Sequence, residues 1–278
     1  MSIRIGFVGH LSVDHNVVGG RSSVLYGGGV LHGSVTAKRL GADSRLYTKC
    51  AAEDRPKFSD LDEAGVAVSV MSSPTSTSIR NEYGDDPDDR VSTLRSRAAP
   101  FEAADLDRIP HCDVLVINPL SFGEFPCELI AGAKAKTAAL AGDAQGFLRR
   151  PGPTGELSHH DWQDKQRYLP AFDFFKVDGA EARMLTGEGD PARAVRALHD
   201  HGARVVVLTH KAGLCVFDGS TLHESHFEAY PLTGRTGRGD TCMAAFLVAQ
   251  AEHGFAQAVA RAADVASRKM QYPGPFRG

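Results

Sequence analysis

The chain has 278 residues, of which 42% are hydrophobic and 23% are charged, and its formal net charge is −3. This length fits one large α/β domain, and the lack of a basic excess argues against a nucleic-acid partner. No apolar run approaches the roughly 18 residues of a membrane-spanning helix, and the first residues lack the layout of a signal peptide. Five scattered cysteines without a C-x-x-C pair predict a reduced, cytoplasmic protein.

Short apolar runs alternate along the chain with longer helical patterns. Strands are predicted at residues 3–9, 45–48, 113–117, 172–177 and 204–208, and helices at 31–40, 124–140, from 180, from 191, at 240–253 and at 255–270. Within 124–140, residues 137–141 are left open as the start of the next strand. The alternation predicts an α/β fold with parallel strands covered on both faces, that is, a doubly wound and mostly parallel sheet.

Two stretches, residues 11–26 and 75–97, break this alternation. The first has no helical period, and the second has the pattern of a polar hairpin that turns at residues 84–89. We expect the two stretches to pair as a small β lid over the edge of the main sheet, and two surface loops are the alternative. The acidic run in the turn lacks the ligand spacing of a calcium loop, so it is predicted to be a solvated turn.

The most informative motif is Gly237-Arg238-Gly239-Asp240, at the start of an alanine-rich helix. Two glycines allow a tight turn at a helix N-terminus, where unpaired N–H groups favour an anion. A carboxylate beside such amides suits phosphoryl transfer, because the amides hold charge on the transferred group while Asp240 accepts the hydroxyl proton. A helix start with a purely structural role is the alternative.

Two further motifs lie where a ligand could approach an α/β sheet. The pair Gly27-Gly28 precedes the first predicted helix, where it lets a ligand approach the backbone or simply forms a flexible turn. Asp178 and Glu181 follow a predicted strand, in the crevice where α/β proteins bind ligands. There Glu181 can hold a magnesium-bound water, or it can be an ordinary acid in the first turn of a helix.

In this order, the glycine pair, the two acids and the G-x-G-D motif resemble the ribokinase/PfkB family of carbohydrate kinases over nearly the whole chain. The similarity is greatest with short members that include myo-inositol kinase-like and archaeal nucleoside kinase-like proteins, and it rests on residues 81–83, 119–120 with 124, 143–149 and 274–277. The resemblance implies one ribokinase-like domain over residues 1–278. It also implies a sugar between sheet and lid, with ATP along the sheet edge.

The resemblance implies a role for each matching position. The catalytic and metal positions are Asp240 as the base, Gly237, Arg238 and Gly239 as the anion hole, and Glu181 with Asp178 as acids that organise Mg²⁺ through water. The implied substrate contacts are Asp14, Gly27, Gly28, His32, Asn81, Asp143, Gln145 and Arg149. The implied nucleotide contacts are Thr209, Lys211 and Gly213.

The chain departs from the family pattern at some of these positions. His32 stands where many members carry a substrate-binding asparagine, and Asp178 replaces the usual asparagine. Residues 209–213 lack the first glycine of the nucleotide segment and are one residue short. Gly234 stands where potassium-activated relatives carry an aspartate, which argues against activation by a monovalent cation. Arg238 occupies a position that is usually small, where it either adds positive charge near the transferred phosphate or points to solvent.

Together these features predict an ATP- and Mg²⁺-dependent kinase that phosphorylates a hydroxyl of a sugar or of a cyclitol such as myo-inositol. A nucleoside kinase of the same fold is one alternative, and a non-catalytic nucleotide- or sugar-binding protein on a kinase scaffold is another. The resemblance to the short members favours the cyclitol over a nucleoside, since the two lid stretches show no obvious aromatic pair to stack a base. Tyr26 and Tyr83 are their only Phe, Trp or Tyr rings. An exposed edge of the lid would also offer a place for two copies to pair as a homodimer.

Overall fold

A computed structural model describes residues 2–84, 90–228, 234 and 236–278. The turn predicted at 84–89, with its acidic run, therefore lies outside the described residues except for Gly84. The strands are β1 (Arg4–Val8), β2 (Ser12–Val18), β3 (Arg21–Gly27), β4 (Asp43–Cys50), β5 (Ala67–Ser72), β6 (Thr77–Tyr83), β7 (Arg90–Ser96), β8 (Cys112–Ile117), β9 (Thr137–Asp143), β10 (Arg149–Pro151), β11 (Leu157–His159), β12 (Phe174–Asp178), β13 (Val205–Thr209), β14 (Gly213–Phe217) and β15 (Leu222–His226).

The helices differ widely in length, and α9 and α10 are the longest in the described part of the chain. No described helix is both long enough and apolar enough to cross a membrane. The helices are α1 (Gly29–Arg39), α2 (Ser59–Ala64), α3 (Ala103–Leu106), α4 (Ile130–Lys134), α5 (Gln145–Leu148), α6 (Lys165–Tyr168), α7 (Gly179–Thr186), α8 (Pro191–Asp200), α9 (Arg238–Glu252) and α10 (Phe255–Lys269).

Within the described ranges, nine strands form a central sheet in the order β15-β14-β13-β12-β9-β8-β1-β4-β5. The strands from β13 to β5 pair in parallel, whereas β14 and β15 run antiparallel at one edge. In β8, Val114 and Val116 pack into one core with α1, α9 and α10, while Leu115 and Ile117 pack into the other with α7 and α8. Burial on both faces explains why this strand is continuously apolar. The predicted doubly wound, mostly parallel sheet is confirmed.

The stretches 11–26 and 75–97 form a separate sheet, which has four strands among the described residues, in the order β3-β2-β6-β7. Strand β2 runs antiparallel to β3 and parallel to β6, so the two stretches lie side by side in one sheet. Strand β3 is an edge strand and exposes the apolar side chains of Val24 and Leu25. We call this four-stranded unit the lid sheet. Closure over a ligand and pairing of two copies through this edge stay predictions.

The predicted helix over residues 124–140 is wrong for most of that range. The structure has a short 3₁₀ turn and the five-residue α4 there, and β9 already begins at Thr137. Glu124 is buried, and its carboxyl group accepts hydrogen bonds from the N–H groups of His10 at 2.6 Å and Leu120 at 2.8 Å. These bonds fix Glu124 in a loop, so it does not lie on a helix face. The alternative left open, that the next strand starts in this range, is confirmed.

The lid sheet is attached to the central sheet through the buried ring of His10, which follows β1. Nδ1 lies 2.9 Å from the Thr77 hydroxyl in β6, and Nε2 lies 3.0 Å from the carbonyl oxygen of Ala99, after β7. Burial lowers the pKa of His10 to about 3, so the ring is neutral. Because a carbonyl oxygen only accepts, Nε2 carries the proton and Nδ1 accepts from Thr77.

We predict that His10→Phe lowers the free energy of unfolding by about 2–3 kcal/mol, because the Thr77 hydroxyl and the Ala99 carbonyl group would lose their buried partner. The new ring can keep the stacking on Phe101, whose centroid lies 5.4 Å from that of His10. Urea unfolding followed by tryptophan fluorescence measures the change. The exposed control His111→Phe should change stability by less than about 0.5 kcal/mol. Equal stability of the His10 variant and the wild type would show that these two bonds do not stabilise the fold.

Candidate active site

Several parallel strands end at one edge of the central sheet, and polar side chains lie at these ends. Asn118 follows β8, while Asp143, Asp178 and Thr209 are the last residues of β9, β12 and β13. Asp240, in the first turn of α9, reaches the same edge through a hydrogen bond with Asn118. Because α/β proteins bind ligands beyond the carboxyl ends of their parallel strands, this edge is the candidate active site.

Asp240 faces the end of β8. Its Oδ1 accepts a hydrogen bond from Nδ2 of Asn118 at 2.7 Å. The helical hydrogen bonds of α9 begin with the N–H of Thr241, which donates to the carbonyl oxygen of Gly237 at 2.9 Å. The N–H groups of Gly239 and Asp240 therefore have no acceptor inside the helix. A carboxylate and unpaired amides thus lie side by side, as the motif predicts.

The glycines at the start of α1 are required because the backbone there passes very close to neighbouring groups, which include Asp240. A Cβ on Gly29 would lie 2.5 Å from Oδ1 of Asn118 and 2.6 Å from Oδ1 of Asp240. Gly28 has a φ of +109°, and a Cβ there would lie 2.8 Å from the carbonyl oxygen of His10. Gly27 lies beside the lid sheet, where a Cβ would be 3.3 Å from a carboxyl oxygen of Asp14. The structure therefore brings the glycine run and Asp240 together.

The ring of His32, in α1, packs directly against the turn before α9. A Cβ on Gly237, whose φ is +80°, would lie 2.3 Å from that ring. His32 is buried, and its Nδ1 has no hydrogen-bond partner among the described residues. Burial, and then the charge of Lys269, lower the pKa of His32 to about 4, while Asp240 opposes the shift. His32 is therefore neutral, and its ring packs against Gly237 of the anion hole.

Arg238, also in the anion-hole motif, places its guanidinium group 5.3 Å from the ring centre of Phe227.

A buried lysine that the motifs do not include, Lys176 of β12, lies next to the anion hole. A Cβ on Gly239 would be 3.0 Å from its Nζ. That Nζ is 3.1 Å from Oδ2 of Asp143 and 3.8 Å from Oε2 of Glu181. Burial disfavours the charged form, but these two acids and Asp240 outweigh burial and hold the pKa of Lys176 well above its usual value. The lysine is a fixed positive charge at the strand ends.

Asp178 and Glu181 cap helix α7. Oδ1 of Asp178 accepts from the N–H of Glu181 at 2.8 Å, and Oε2 of Glu181 accepts from the N–H of Asp178 at 2.7 Å. This capping box accounts for one oxygen of each acid. Among the described residues, no group of three or more His, Cys, Asp or Glu side chains is arranged to hold a metal.

Most of the other predicted substrate contacts come from the lid sheet and from the start of α5. Asp14 of β2 has a buried Oδ1 with no hydrogen-bond partner in the described part of the chain, and burial raises the pKa of this carboxyl group. Asn81 of β6 donates to Oδ1 of Asn16 at 3.0 Å and accepts from the hydroxyl of Ser92 at 2.7 Å. Arg149 is buried, and burial lowers its pKa to about 10.

Gln145 belongs to the same edge of the sheet, because its N–H donates to Oδ1 of Asp143 at 3.0 Å. The predicted nucleotide contacts lie at or near the tight hairpin between β13 and β14. Thr209 lies 3.7 Å from where a Cβ of Gly239 would stand, whereas Lys211 is exposed at the hairpin tip. A Cβ on Gly213 would lie 2.1 Å from the carbonyl oxygen of Ser225. Of the three, the structure brings only Thr209 to the anion hole.

The site contains three polar residues that sequence reasoning missed. Asn118 is the first polar residue after the apolar run of β8, and Lys176 interrupts the apolar run of β12. Each of these polar residues could have been identified from the sequence, because a polar residue at the end of a buried strand indicates the ligand-binding edge of the sheet. Lys269 gave no such signal, since a cation in the last turn of a helix is common.

Comparisons with known proteins agree with this geometry. The family model described as pfkB family carbohydrate kinase matches residues 9–277. A pyrophosphate-dependent kinase in the ribokinase family, solved as a sulfate complex, is 46% identical, with a TM-score of 0.94 and coverage of 98% of this chain and 97% of that chain. A pyrophosphate-dependent kinase in the ribokinase family, complexed with a pyrophosphate analogue and myo-inositol, is 44% identical, with a TM-score of 0.93 and coverage of 98% and 97%.

A third solved structure concerns the choice of hydroxyl. It reports the conversion of a pyrophosphate-dependent myo-inositol-1 kinase into a myo-inositol-3 kinase by an asparagine-to-leucine and a serine-to-leucine substitution. It is 43% identical to this chain, with a TM-score of 0.92 and coverage of 98% of this chain and 95% of that chain. A search of the curated proteins found no match.

The family match spans nearly all of the chain, and the three similar structures are kinases with the same fold over almost their whole length. The predicted family, fold and reaction class are confirmed. This chain therefore belongs to the pfkB family of carbohydrate kinases, has the ribokinase fold, and transfers a phosphoryl group to a hydroxyl of a small polyhydroxylated substrate.

Proposed function

We propose that this kinase transfers a phosphoryl group from inorganic pyrophosphate to one hydroxyl of myo-inositol. The observation that carries the proposal is the hydrogen bond between Asn81 and Ser92, which are eleven positions apart. The two substitutions that changed the hydroxyl used by the similar myo-inositol kinase also replaced an asparagine and a serine eleven positions apart. The same residue types at the same spacing, in a chain 43% identical, support the same acceptor.

The lid sheet supports a ring that carries several hydroxyls. Oδ1 of Asp14 is a buried acceptor that no described residue satisfies, and a hydroxyl group is a donor that would satisfy it. Burial raises the pKa of Asp14, while the positive charge of nearby Arg149 favours the carboxylate. Asn81 and Ser92 present an amide and a hydroxyl from neighbouring strands of the same sheet. A polyol meets all of these groups with hydroxyls, which are both donors and acceptors.

The charges around the anion hole favour a compact polyanion as the phosphoryl donor. Lys176 and Arg149 are both buried, and Lys176 lies beside the anion hole. The segment that should line a nucleotide forms a tight hairpin, with Lys211 exposed at its tip. Pyrophosphate needs positive charge and amides but no surface for a base. We therefore replace the expectation of ATP with pyrophosphate, in line with the similar enzymes.

Asp240 acts as the general base in this proposal. It takes the proton from the acceptor hydroxyl as the oxygen attacks the nearer phosphorus of pyrophosphate. The bond from that phosphorus to the bridging oxygen breaks, and inorganic phosphate leaves with the electron pair. The N–H groups of Gly239 and Asp240 stabilise the charge on the transferred group. Asn118 orients the carboxyl group of Asp240 through its 2.7 Å hydrogen bond.

The chemistry of the two acids at this site fits Mg²⁺, which Glu181 and Asp178 would hold through water. The capping box leaves Oε1 of Glu181 and Oδ2 of Asp178 without a protein donor among the described residues. These two oxygens would accept hydrogen bonds from metal-bound water, as the sequence predicts. When bound, the ion would neutralise charge on the donor phosphates. The cytoplasmic location and the homodimer through the lid sheet stay predictions.

A panel of donors and acceptors tests the proposed function. Pyrophosphate and ATP are each supplied with myo-inositol, ribose or adenosine in the presence of Mg²⁺, and both products are quantified. We expect pyrophosphate with myo-inositol to give an inositol phosphate and free phosphate, with kcat/KM at least ~100-fold above that with ATP. Turnover with ATP but not pyrophosphate would contradict the donor. Turnover of adenosine but not of myo-inositol would contradict the proposed acceptor and favour the nucleoside kinase alternative.

We predict that Asp240→Asn lowers kcat by roughly 10²–10⁴-fold with little change in KM, because the amide cannot accept the hydroxyl proton. The side chain keeps its shape and its Oδ1, so the hydrogen bond from Asn118 can persist. Steady-state kinetics and calorimetric binding of myo-inositol measure the two effects. The control Asp264→Asn removes a half-exposed acid of α10 and should leave kcat unchanged. Near-normal turnover in a folded Asp240 variant would remove this residue from the mechanism.

We predict that Asn81→Leu combined with Ser92→Leu changes which hydroxyl is phosphorylated, because the pair facing the ring loses its donors and acceptors. The 1- and 3-phosphates of myo-inositol are mirror images, so chiral chromatography must identify the product. The control pair is Arg80→Leu with Thr93→Leu, neighbours in the same register whose side chains point to the opposite face of the lid sheet. An unchanged product from the Asn81 and Ser92 variant would contradict their role in specificity.

A further inference from the structure

Lys269, the last residue of α10, is completely buried behind the anion hole. Its Nζ donates to the carbonyl oxygen of Gly234 at 2.6 Å and also to the carbonyl oxygen of Thr236. Thr236 immediately precedes the Gly237–Asp240 motif. Among the described residues, no carboxylate lies within ion-pair distance of this ammonium group. Its partners are thus backbone carbonyl oxygens that lead directly into the anion hole.

A buried ammonium group with carbonyl partners is costly and needs a compensating role. Burial lowers the pKa of Lys269 to about 8, while Asp240 favours the charged form. The titratable groups that face it in the described part of the chain are Asp240 from α9 and His32 from α1. The carbonyl groups at the C-terminus of α10 add a further favourable field for a cation. The charge is therefore retained next to the catalytic carboxylate instead of being replaced by an apolar side chain.

Peptide geometry links this contact to the anion hole. The carbonyl oxygen of Thr236 and the N–H of Gly237 belong to one planar trans peptide unit, so they point in opposite directions. When the carbonyl group is held by Lys269, the Gly237 N–H must point away from Lys269. The ring of His32 packs against the same glycine and limits its movement. The orientation of this peptide is therefore set by a charge at its carbonyl side.

We propose that Lys269 is a positioning residue whose ammonium group serves as a built-in monovalent cation, orienting the Thr236–Gly237 peptide toward the transferred phosphoryl group. Carbonyl oxygens are also the ligands that K⁺ prefers in proteins, so a tethered ammonium group makes a dissolved cation unnecessary. This inference rests on the proposed function, because it needs the anion hole to act on a phosphoryl group.

The test compares variants in different monovalent salts at equal ionic strength. Lys269→Ala should lower kcat at least ~10-fold while KM for myo-inositol changes less than ~3-fold, since a positioning residue acts on the transition state. Added NH₄⁺, methylammonium or K⁺ should raise kcat of Lys269→Ala at least ~5-fold, because these cations can occupy the space vacated beside the carbonyl oxygens. Choline should not raise kcat. Lys269→Met fills the space without a charge and should respond to none of these ions.

The wild type should be indifferent to the choice of salt, and so should Arg268→Met. Arg268 is the neighbouring cation in the same helix turn, and it donates to the carbonyl oxygen of Gly278 instead. Circular dichroism and thermal unfolding establish that each variant is folded. If Lys269→Ala does not fold, Lys269→Met still tests the proposal, because it should lose kcat to the same extent, and a folded Lys269→Met variant with normal kcat would overturn it.

Three results would overturn the inference. They are a wild type that requires K⁺ or NH₄⁺, a folded Lys269→Ala variant with normal kcat, and a folded Lys269→Ala variant whose lost activity no cation restores. The last result would assign Lys269 a structural role only. Failure of the proposed function is recognised separately, because cation rescue is measured with whichever donor and acceptor the wild type uses.

Discussion

The close approach of two helix N-termini is the constraint on which this site depends. Asp240, in the first turn of α9, lies against the backbone at the start of α1, where even one methyl group on Gly29 would come within 2.6 Å of its carboxyl oxygen. Asn118 fills the remaining side and bonds to the same oxygen. Gly237 is equally constrained, because the His32 ring packs where its Cβ would be. The base and the anion hole are therefore fixed by backbone packing.

Buried charge around this contact explains how a small anionic donor can be handled. Lys176 beside Gly239 is paired with Asp143 and Glu181, so it is held in place and remains charged. The donor phosphates would arrive with Mg²⁺, whose charge would add to that of Lys176. Lys269 acts from behind through the backbone and does not face the donor. The two lysines thus have different tasks in one anion site.

Much of the fold and part of the site follow from local sequence. The alternation of apolar runs and helical patterns predicts the central sheet, because strands buried on both faces are continuously apolar. The Gly237–Asp240 motif is local too, and it lies where the sequence predicts. The helix predicted at 124–140 failed because Glu124 is bonded to His10, a partner more than a hundred positions away.

The residues that the sequence did not reveal act through tertiary contacts. Asn118 matters because β8 ends opposite α9, and Lys269 matters because α10 ends behind the loop before α9. No local sequence pattern predicts either of these tertiary contacts. The phosphoryl donor has no clear local signal either, since the expectation of ATP came from a resemblance whose nucleotide segment this chain only partly keeps. Similar enzymes and the exposed hairpin around Lys211 support pyrophosphate instead.

The most direct measurement is a crystal structure with myo-inositol and a non-hydrolysable pyrophosphate analogue bound together. We expect one ring hydroxyl within hydrogen-bond distance of the Asp240 carboxylate, and a phosphate oxygen on the N–H groups of Gly239 and Asp240. We also expect Asp14 to accept a hydrogen bond from another hydroxyl of the ring. An analogue bound on the hairpin of Lys211, or a ring with no hydroxyl near Asp240, would contradict the proposed mechanism.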